Sequence, residues 1–346
     1  MLNPGIKNLK TCQTFHFHLH KQHRNMNANF EIDQLEQKDF MLLKTFEEKI
    51  SIQDFIAWYN TNKVGLQEKL NKNGAILFRG INISSITDFE TVMDDISSKF
   101  MAYVDGNSPR TKLSSKVYTS TEYDKNHSIT LHNELSYSYK WPAKIFFCCL
   151  IPAAAGGETP IADCRKVLKS MDKALVDEIE NKGITYIRNL NGGAGFGPSW
   201  QDTFETDDKA KVEEFCKQAN VQYEWRPDGG VKLTQPSKGI ITHPTTGEKV
   251  WFNQIDQFHP SHLEPEIYET LMMMYEKEDE LPMYISFGDG TKITEEMVKE
   301  IRNTVDKESI ANPWEQGDLL MLDNVLVAHG RKPYQGDRKV LVSMSN

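Results

Sequence analysis

The most informative stretch of the chain is His132-Asn133-Glu134-Leu135-Ser136-Tyr137-Ser138-Tyr139, a His-Asn-Glu tripeptide followed by alternating apolar and polar residues. Such alternation is typical of a β-strand, in which residues two apart point to the same side. We therefore predict a strand here, with His132 and Glu134 able to reach one metal ion.

The tripeptide alone is weak evidence, because ten histidines and 49 acidic residues among 346 give roughly 1.4 His-x-Asp/Glu matches by chance. The chain has two such matches, and the other is His262-Leu263-Glu264. That match lies between Pro260 and Pro265 at a predicted helix start, where glutamate stabilises the positive end of the helix. A structural role accounts for it, and the first match stays a candidate metal site.

A distant histidine, His329, follows the apolar strand predicted over Val325–Ala328. A rolled antiparallel sheet places early and late strands side by side, so this residue can join His132 and Glu134. Two imidazoles and one carboxylate occupy one face of an octahedral Fe(II) and leave three positions open. On the residues alone, a core histidine hydrogen-bonded to the backbone is the alternative.

Strands and helices alternate along the rest of the chain. A buried strand is predicted over Ala75–Gly80, after the turn formers Asn73-Gly74. One helix is predicted to begin at Asp163 and end at Gly183, and another to begin at Thr294. Strands are also predicted over Asp318–Leu322, Val325–Ala328 and Val340–Met344.

Residues 28–346 are predicted to form a single domain, with a variable insertion or lid region at about 183–290. The glycine-rich run Asn191–Gly197 in that region lacks the strand-to-helix context of a nucleotide site. Residues 1–27 carry four basic residues, four histidines and no acidic residue. We expect them to be a disordered leader or an over-extended start, with a metal-binding tract or a targeting peptide as alternatives.

The composition excludes several classes of protein. A net charge of −9, without a large basic cluster, argues against nucleic acid as a partner. No apolar run approaches the roughly 20 residues of a membrane span. Five cysteines form an odd set without a CxxC pair, which favours a reducing compartment and a cytoplasmic protein.

Four ordered motifs carry a resemblance to a known family. They are His132–Tyr137, Trp141–Phe147, Gly156–Asp163 and Asp323–Arg331, followed by Arg338. This series resembles the TauD/TfdA family of Fe(II)/2-oxoglutarate-dependent dioxygenases, and within it the clavaminate-synthase-like and SyrP-like members. The likeness extends from about residue 74 to the C-terminus.

The resemblance implies a mainly β fold with flanking helices, built on a double-stranded β-helix, or jelly-roll, core of the cupin type. It implies that His132, Glu134 and His329 bind Fe(II), where 2-oxoglutarate and O2 react. It also implies that Arg338 holds the distal carboxylate of 2-oxoglutarate, while Thr159 hydrogen-bonds a carboxylate oxygen. The residue types suit these roles, since a guanidinium pairs bidentately with a carboxylate and keeps its charge.

The expected reaction is hydroxylation of an unactivated C–H bond of an amino-acid-like substrate, with release of succinate and carbon dioxide. Desaturation and ring closure are variants of the same iron chemistry. Halogenation is disfavoured, because family halogenases replace the carboxylate that is present here as Glu134. A Zn(II)-dependent hydrolase or isomerase on a β-barrel is the alternative from another class, although it needs no dicarboxylate anchor.

The resemblance also restricts the substrate. Taurine-type members hold a sulfonate with an arginine four residues beyond the cosubstrate arginine, and Val342 occupies that position here. We expect a small-molecule substrate, either free or tethered to an aminoacyl-carrier protein, and leave a homo-oligomer open. Arg110, Trp251 and Asn253 are the candidate substrate-binding residues, with packing in a strand as the alternative for Trp251.

Overall fold

A seven-stranded sheet and a four-stranded sheet pack around the largest apolar core. The computed structural model describes residues 35–102, 105–106 and 110–346, so the predicted leader over residues 1–27 lies outside the described residues. The strands are β1 (Glu36–Lys38), β2 (Met41–Ile50), β3 (Ala75–Ile81), β4 (Tyr118–Thr119), β5 (Ile129–His132), β6 (Lys144–Ile151), β7 (Ala155–Gly156), β8 (Ile161–Asp163), β9 (Ile184–Leu190), β10 (Gln222–Trp225), β11 (Val231–Ser237), β12 (Ile240–Thr242), β13 (Lys249–Trp251), β14 (Met283–Phe287), β15 (Ser309–Ile310), β16 (Leu319–Asp323), β17 (Val327–Arg331), β18 (Tyr334–Gln335) and β19 (Lys339–Ser345). The helices are α1 (Ile52–Asn73), α2 (Ile86–Ile96), α3 (Cys164–Ser170), α4 (Lys173–Lys182), α5 (Trp200–Phe204), α6 (Lys209–Ala219), α7 (Ile255–Phe258), α8 (Pro265–Met272) and α9 (Glu295–Lys307), with short 3-10 helices at Pro260–His262 and Glu278–Glu280.

The strand order is that of a rolled sheet. The larger sheet runs β1-β2-β3-β16-β6-β19-β4, and the smaller runs β15-β8-β17-β5. Their facing sides meet in one core, where the Phe147 ring on β6 lies 5.1 Å from the His329 ring on β17. The predicted double-stranded β-helix with flanking helices is confirmed.

Alternation along β6 explains why the larger sheet is buried on both sides. Phe147 and its neighbours at every second position face the core between the sheets, whereas Phe146 belongs to a second core formed with α1 and α2. A strand covered on both faces reads as the continuous apolar run that the sequence shows over 145–150. Helices α1 and α2 thus cover one face of the larger sheet, and the smaller sheet covers the other.

Most predicted elements are present, with informative differences. The strand after Gly74 and the helix capped by Thr294 are confirmed. The single helix predicted from Asp163 to Gly183 is wrong: α3 ends before Met171, and the Asp172 side chain accepts a hydrogen bond from Leu175 N to begin α4. An aspartate cap of this kind begins a new helix. The apolar spacing in the sequence therefore spans two helices, α3 and α4, rather than one.

The C-terminal strands are β16, β17 and β19, each displaced slightly from its predicted bounds. Val325 and Leu326 do not extend β17, because their backbone N–H groups donate to Asp323 Oδ1 in a turn. This turn shifts β17 toward the C-terminus. His329 therefore lies inside the strand rather than after it.

The region between β9 and β14 forms a separate sheet in the order β10-β11-β9-β14. It shares a small apolar cluster with α5 and α6. The lid role and the single-domain assignment stay predictions. None of the helices in the described parts of the chain has both the length and the apolar character needed to cross a membrane.

Candidate active site

Two buried histidines face each other across the smaller sheet. His132 at the end of β5 pairs with His329 on β17, and their ring centroids lie 4.7 Å apart. The strands approach closely at Gly330, where a Cβ atom would meet Ile129 O at 2.4 Å. Backbone register therefore brings together two imidazoles that are far apart in sequence.

Glu134 reaches the same place by a turn rather than by a strand. The strand predicted over Leu135–Tyr139 is wrong, since β5 ends at His132 and Leu135 adopts a left-handed φ of 57°. The turn is closed by a backbone hydrogen bond from Ser138 N to Leu135 O at 2.8 Å. The side chains of His132 and Glu134 thus converge for a different reason from the one that the alternation indicated.

Asn324 holds this turn in place. Its Oδ1 accepts from Glu134 N at 2.8 Å, and its Nδ2 donates to the carbonyls of Glu134 and Pro142 at 3.0 Å each. Asn133 Nδ2 donates in return to Asn324 O at 2.6 Å. Sequence reasoning missed both asparagines, although each lies inside a motif that carries a candidate ligand.

The donor atoms of His132, Glu134 and His329 lie within 4.8 Å of one another, and all three residues are buried. His132 Nδ1 lies 2.9 Å from Thr130 O, which favours the tautomer with its proton on Nδ1 and a lone pair on Nε2. Gln257 Nε2 donates to the same Thr130 carbonyl at 3.2 Å. Metal-binding histidines are usually oriented by such contacts to their other ring nitrogen.

His329 also fits the role of a metal ligand, because its buried ring lacks hydrogen bonds to the described residues. Neither ring nitrogen has a hydrogen-bond partner among the described residues, and Nε2 lies 3.6 Å from Glu134 Oε2. Buried polar atoms are normally satisfied, so an imidazole without such a bond beside a carboxylate fits a metal ligand. The donor set suits Fe(II), and Zn(II) is also compatible with it.

The electrostatics keep Glu134 and His132 in the protonation states that bind a metal. Burial would raise the pKa of Glu134, but Arg110, whose Nη2 lies 2.5 Å from Oε2, and the two histidines outweigh it and hold that pKa well below its usual range. Burial, reinforced by His329, lowers the pKa of His132 to about 4. The glutamate is therefore charged and His132 neutral near neutral pH, which are the states that bind metal.

Arg338 is a buried cation in the same pocket. Its Nε donates to Gly157 O at 2.9 Å and one Nη to Ser120 Oγ at 3.2 Å, and none of the ion pairs between described residues includes it. Burial, together with Arg331, lowers the pKa of Arg338 to about 10, so it stays protonated near neutral pH. A buried guanidinium held only by neutral acceptors fits a site for an anionic ligand.

One open pocket of ≈ 340 Å³ gathers most of the predicted site residues. Its lining includes Arg110, His132, Thr159, His329 and Arg338. The Thr159 hydroxyl also accepts a 3.3 Å hydrogen bond from the indole of a nearby tryptophan.

Trp251 and Asn253 are not in this pocket. They line a different pocket of ≈ 610 Å³, and Asn253 is held by Gly239 O at 2.9 Å and Ile255 N at 3.1 Å. Their predicted contact with substrate has no support from this arrangement. Arg331 lines the first pocket, but its guanidinium donates to three backbone carbonyls of the segment 123–127.

A metal-type cluster and a buried arginine inside a double-stranded β-helix define the class: an Fe(II)- and 2-oxoglutarate-dependent dioxygenase, which consumes O2. Residues 37–344 match the model of the family described as "Taurine catabolism dioxygenase TauD, TfdA family", and the chain belongs to that family. The resemblance found in the sequence is thereby confirmed.

Two relatives are similar over most of their length. The dapdiamide synthesis protein DdaC of Enterobacter agglomerans is 37% identical over 279 residues, which cover 81% of this chain and 84% of the relative. A clavaminate synthase-like protein of Arabidopsis thaliana is 31% identical over 303 residues, covering 85% and 88%. The solved structure of PvcB from Pseudomonas aeruginosa has a TM-score of 0.51 at 14% identity, covering 92% and 94%, and supports the fold alone.

Proposed function

We propose that this dioxygenase oxidises an unactivated C–H bond of an amino-acid-like substrate, either free or tethered to a carrier protein, with release of succinate and carbon dioxide. The observation that carries the proposal is the shared pocket of the two histidines and Arg338, beside the buried Glu134. A set of three metal ligands next to an arginine suits a dicarboxylate that chelates iron at one end and pairs with a guanidinium at the other.

Each residue then has a defined task. His132, Glu134 and His329 hold Fe(II), which, when bound, supplies the oxidising chemistry with O2 and 2-oxoglutarate. Arg338 holds the distal carboxylate of 2-oxoglutarate, and Thr159 donates its hydroxyl proton to a carboxylate oxygen. The indole that donates to Thr159 Oγ1 leaves that proton available for the cosubstrate.

The substrate class rests on three observations. Glu134 supplies the carboxylate ligand, which disfavours halogenation. Val342 is fully buried in β19 where a taurine-type member has its sulfonate arginine. Similarity to a dapdiamide synthesis protein favours a biosynthetic substrate over taurine.

The test is a turnover screen with Fe(II), 2-oxoglutarate and O2 against the twenty common L-amino acids and their aminoacyl-carrier-protein forms. We expect at least one substrate to stimulate succinate release, with a product that gains one oxygen atom or loses two hydrogen atoms. The His329→Ala variant should release no succinate above background. Substrate turnover that needs zinc but neither O2 nor 2-oxoglutarate would contradict the proposal.

A further inference from the structure

Arg110 connects the metal cluster to the rest of the pocket. Its guanidinium lines the pocket, and its Nη2 lies 2.5 Å from Glu134 Oε2. The same carboxylate oxygen lies 3.6 Å from Nε2 of His329, another of the three candidate metal ligands. Both members of the Arg110–Glu134 pair are almost fully buried. One glutamate oxygen is therefore shared between a guanidinium and the place where a metal would bind.

The charges in this pocket do not balance. Its lining contains Arg110, Arg331 and Arg338 and, among the described residues, no acidic side chain, while Glu134 adds one negative charge at the metal end. A divalent metal adds two positive charges, and dianionic 2-oxoglutarate offsets only two. The pocket thus keeps a positive surplus after both have bound. Buried cations of this kind favour an anionic group on the remaining ligand.

We propose, on the basis of the function above and for its free rather than carrier-tethered substrate, that Arg110 binds the carboxylate of the organic substrate and couples substrate binding to metal binding. The positive charge of Arg110 acts on Glu134 at close range, so it opposes a second cation on the same oxygen. A substrate carboxylate against the guanidinium neutralises that charge and so favours the metal. By linkage, the metal favours the carboxylate to the same extent.

The fork of the guanidinium suits two anions at once. Its donors lie in one plane and point in several directions, so one guanidinium that lines the pocket can contact Glu134 through Nη2 and a second anion through its other donors. A lysine would keep the charge at this position without the planar fork. Comparing the two side chains separates the effect of charge from that of geometry.

The first measurement is the affinity for Co(II), a stand-in for Fe(II), titrated under nitrogen with saturating 2-oxoglutarate. Arg110→Gln should bind Co(II) about tenfold more tightly, or better, because the competing cation is gone. Arg110→Lys should stay close to the wild-type affinity. Arg79→Gln is the matched control, because Arg79 pairs with Asp318 outside the pocket and its loss should leave the affinity unchanged.

The second measurement uses the wild-type protein and free L-amino acids, each paired with its own carboxamide. We expect at least one acid to tighten Co(II) binding by about tenfold, while the matched carboxamide, which lacks the negative charge, has little effect. The tightening should disappear in Arg110→Gln. This comparison needs no folded variant, so it remains decisive if Arg110→Gln is unstable.

The inference is overturned if Arg110→Gln folds and binds Co(II) no more tightly than wild type, or if acids and carboxamides act alike. His329→Ala separates this failure from failure of the proposed function. If wild-type protein binds Co(II) with 2-oxoglutarate and His329→Ala does not, the metal site holds and only the role of Arg110 is wrong. If the two bind Co(II) equally, the metal site itself is wrong.

Discussion

His132 and His329 are direct cross-strand partners on β5 and β17, with their ring centroids 4.7 Å apart. The backbone ladder of the smaller sheet therefore fixes two candidate ligands, and a site on strands is held more precisely than one on loops. The third candidate, Glu134, lies on a turn and depends on the side chain of Asn324. Substitution of His329 disturbs the strand-held part of the site, and substitution of Asn324 disturbs the turn-held part.

Metal should stabilise the folded protein through His329. Because a ligand that binds only the native state raises its stability, Co(II) at a hundred times its Kd should add about 2.7 kcal/mol to the free energy of unfolding. We expect His329→Ala to lose this gain, measured as the shift of Tm with Co(II). His262→Ala alters the other His-x-Glu match and should retain the shift; an equal loss in both variants would count against the cluster.

Asn324→Ala should weaken metal binding through Glu134. The substitution removes one acceptor and two donors from a fully buried turn, so we expect a stability loss of about 1–3 kcal/mol and a 10–100-fold lower affinity for Co(II). Asn189→Ala is the control, because Asn189 also donates to two carbonyls in a buried setting. It should lose stability without losing metal affinity, and a loss of affinity in both would argue against a specific role for Asn324.

Gly157→Ala should impair the use of 2-oxoglutarate. The residue has a φ of 74°, and a Cβ atom there would lie 3.0 Å from Arg338 Cδ, so the arginine must shift. We expect a stability loss of about 1 kcal/mol and a higher KM for 2-oxoglutarate. Gly247→Ala has nearly the same φ, 75°, with no atom within 4 Å of the added Cβ. Its KM should not change; if the two variants behave alike, contact with Arg338 is not the cause.

The sequence predicted the parts of the molecule that depend on local chemistry or on family motifs. Thr294 as a helix cap and the buried strand after Gly74 follow from short-range rules, and the structure has both. Spacing of apolar residues could not show that α3 and α4 are separate, because the apolar residues of both helices pack in the same core. Only the aspartate cap at Asp172 marks the break.

The residues of the candidate site were predicted from motifs, but the contacts that hold them in place were not. Alternation after Glu134 indicated a strand, whereas the chain turns because Asn324, 190 residues away, binds both backbone groups of Glu134. Contacts of that range leave no periodic signal in one sequence. Likewise, tryptophan is a residue type that often lines pockets, yet Trp251 lies on the short β12–β13 pair and lines another cavity.

The central claim is that His132, Glu134 and His329 hold Fe(II) beside 2-oxoglutarate anchored on Arg338. The most direct measurement is the visible spectrum of the protein with Fe(II) and 2-oxoglutarate under anaerobic conditions. We predict a weak charge-transfer band that needs both additions, that His329→Ala abolishes, and that Arg338→Ala reduces. The absence of any band, together with tight binding of zinc, would contradict the account.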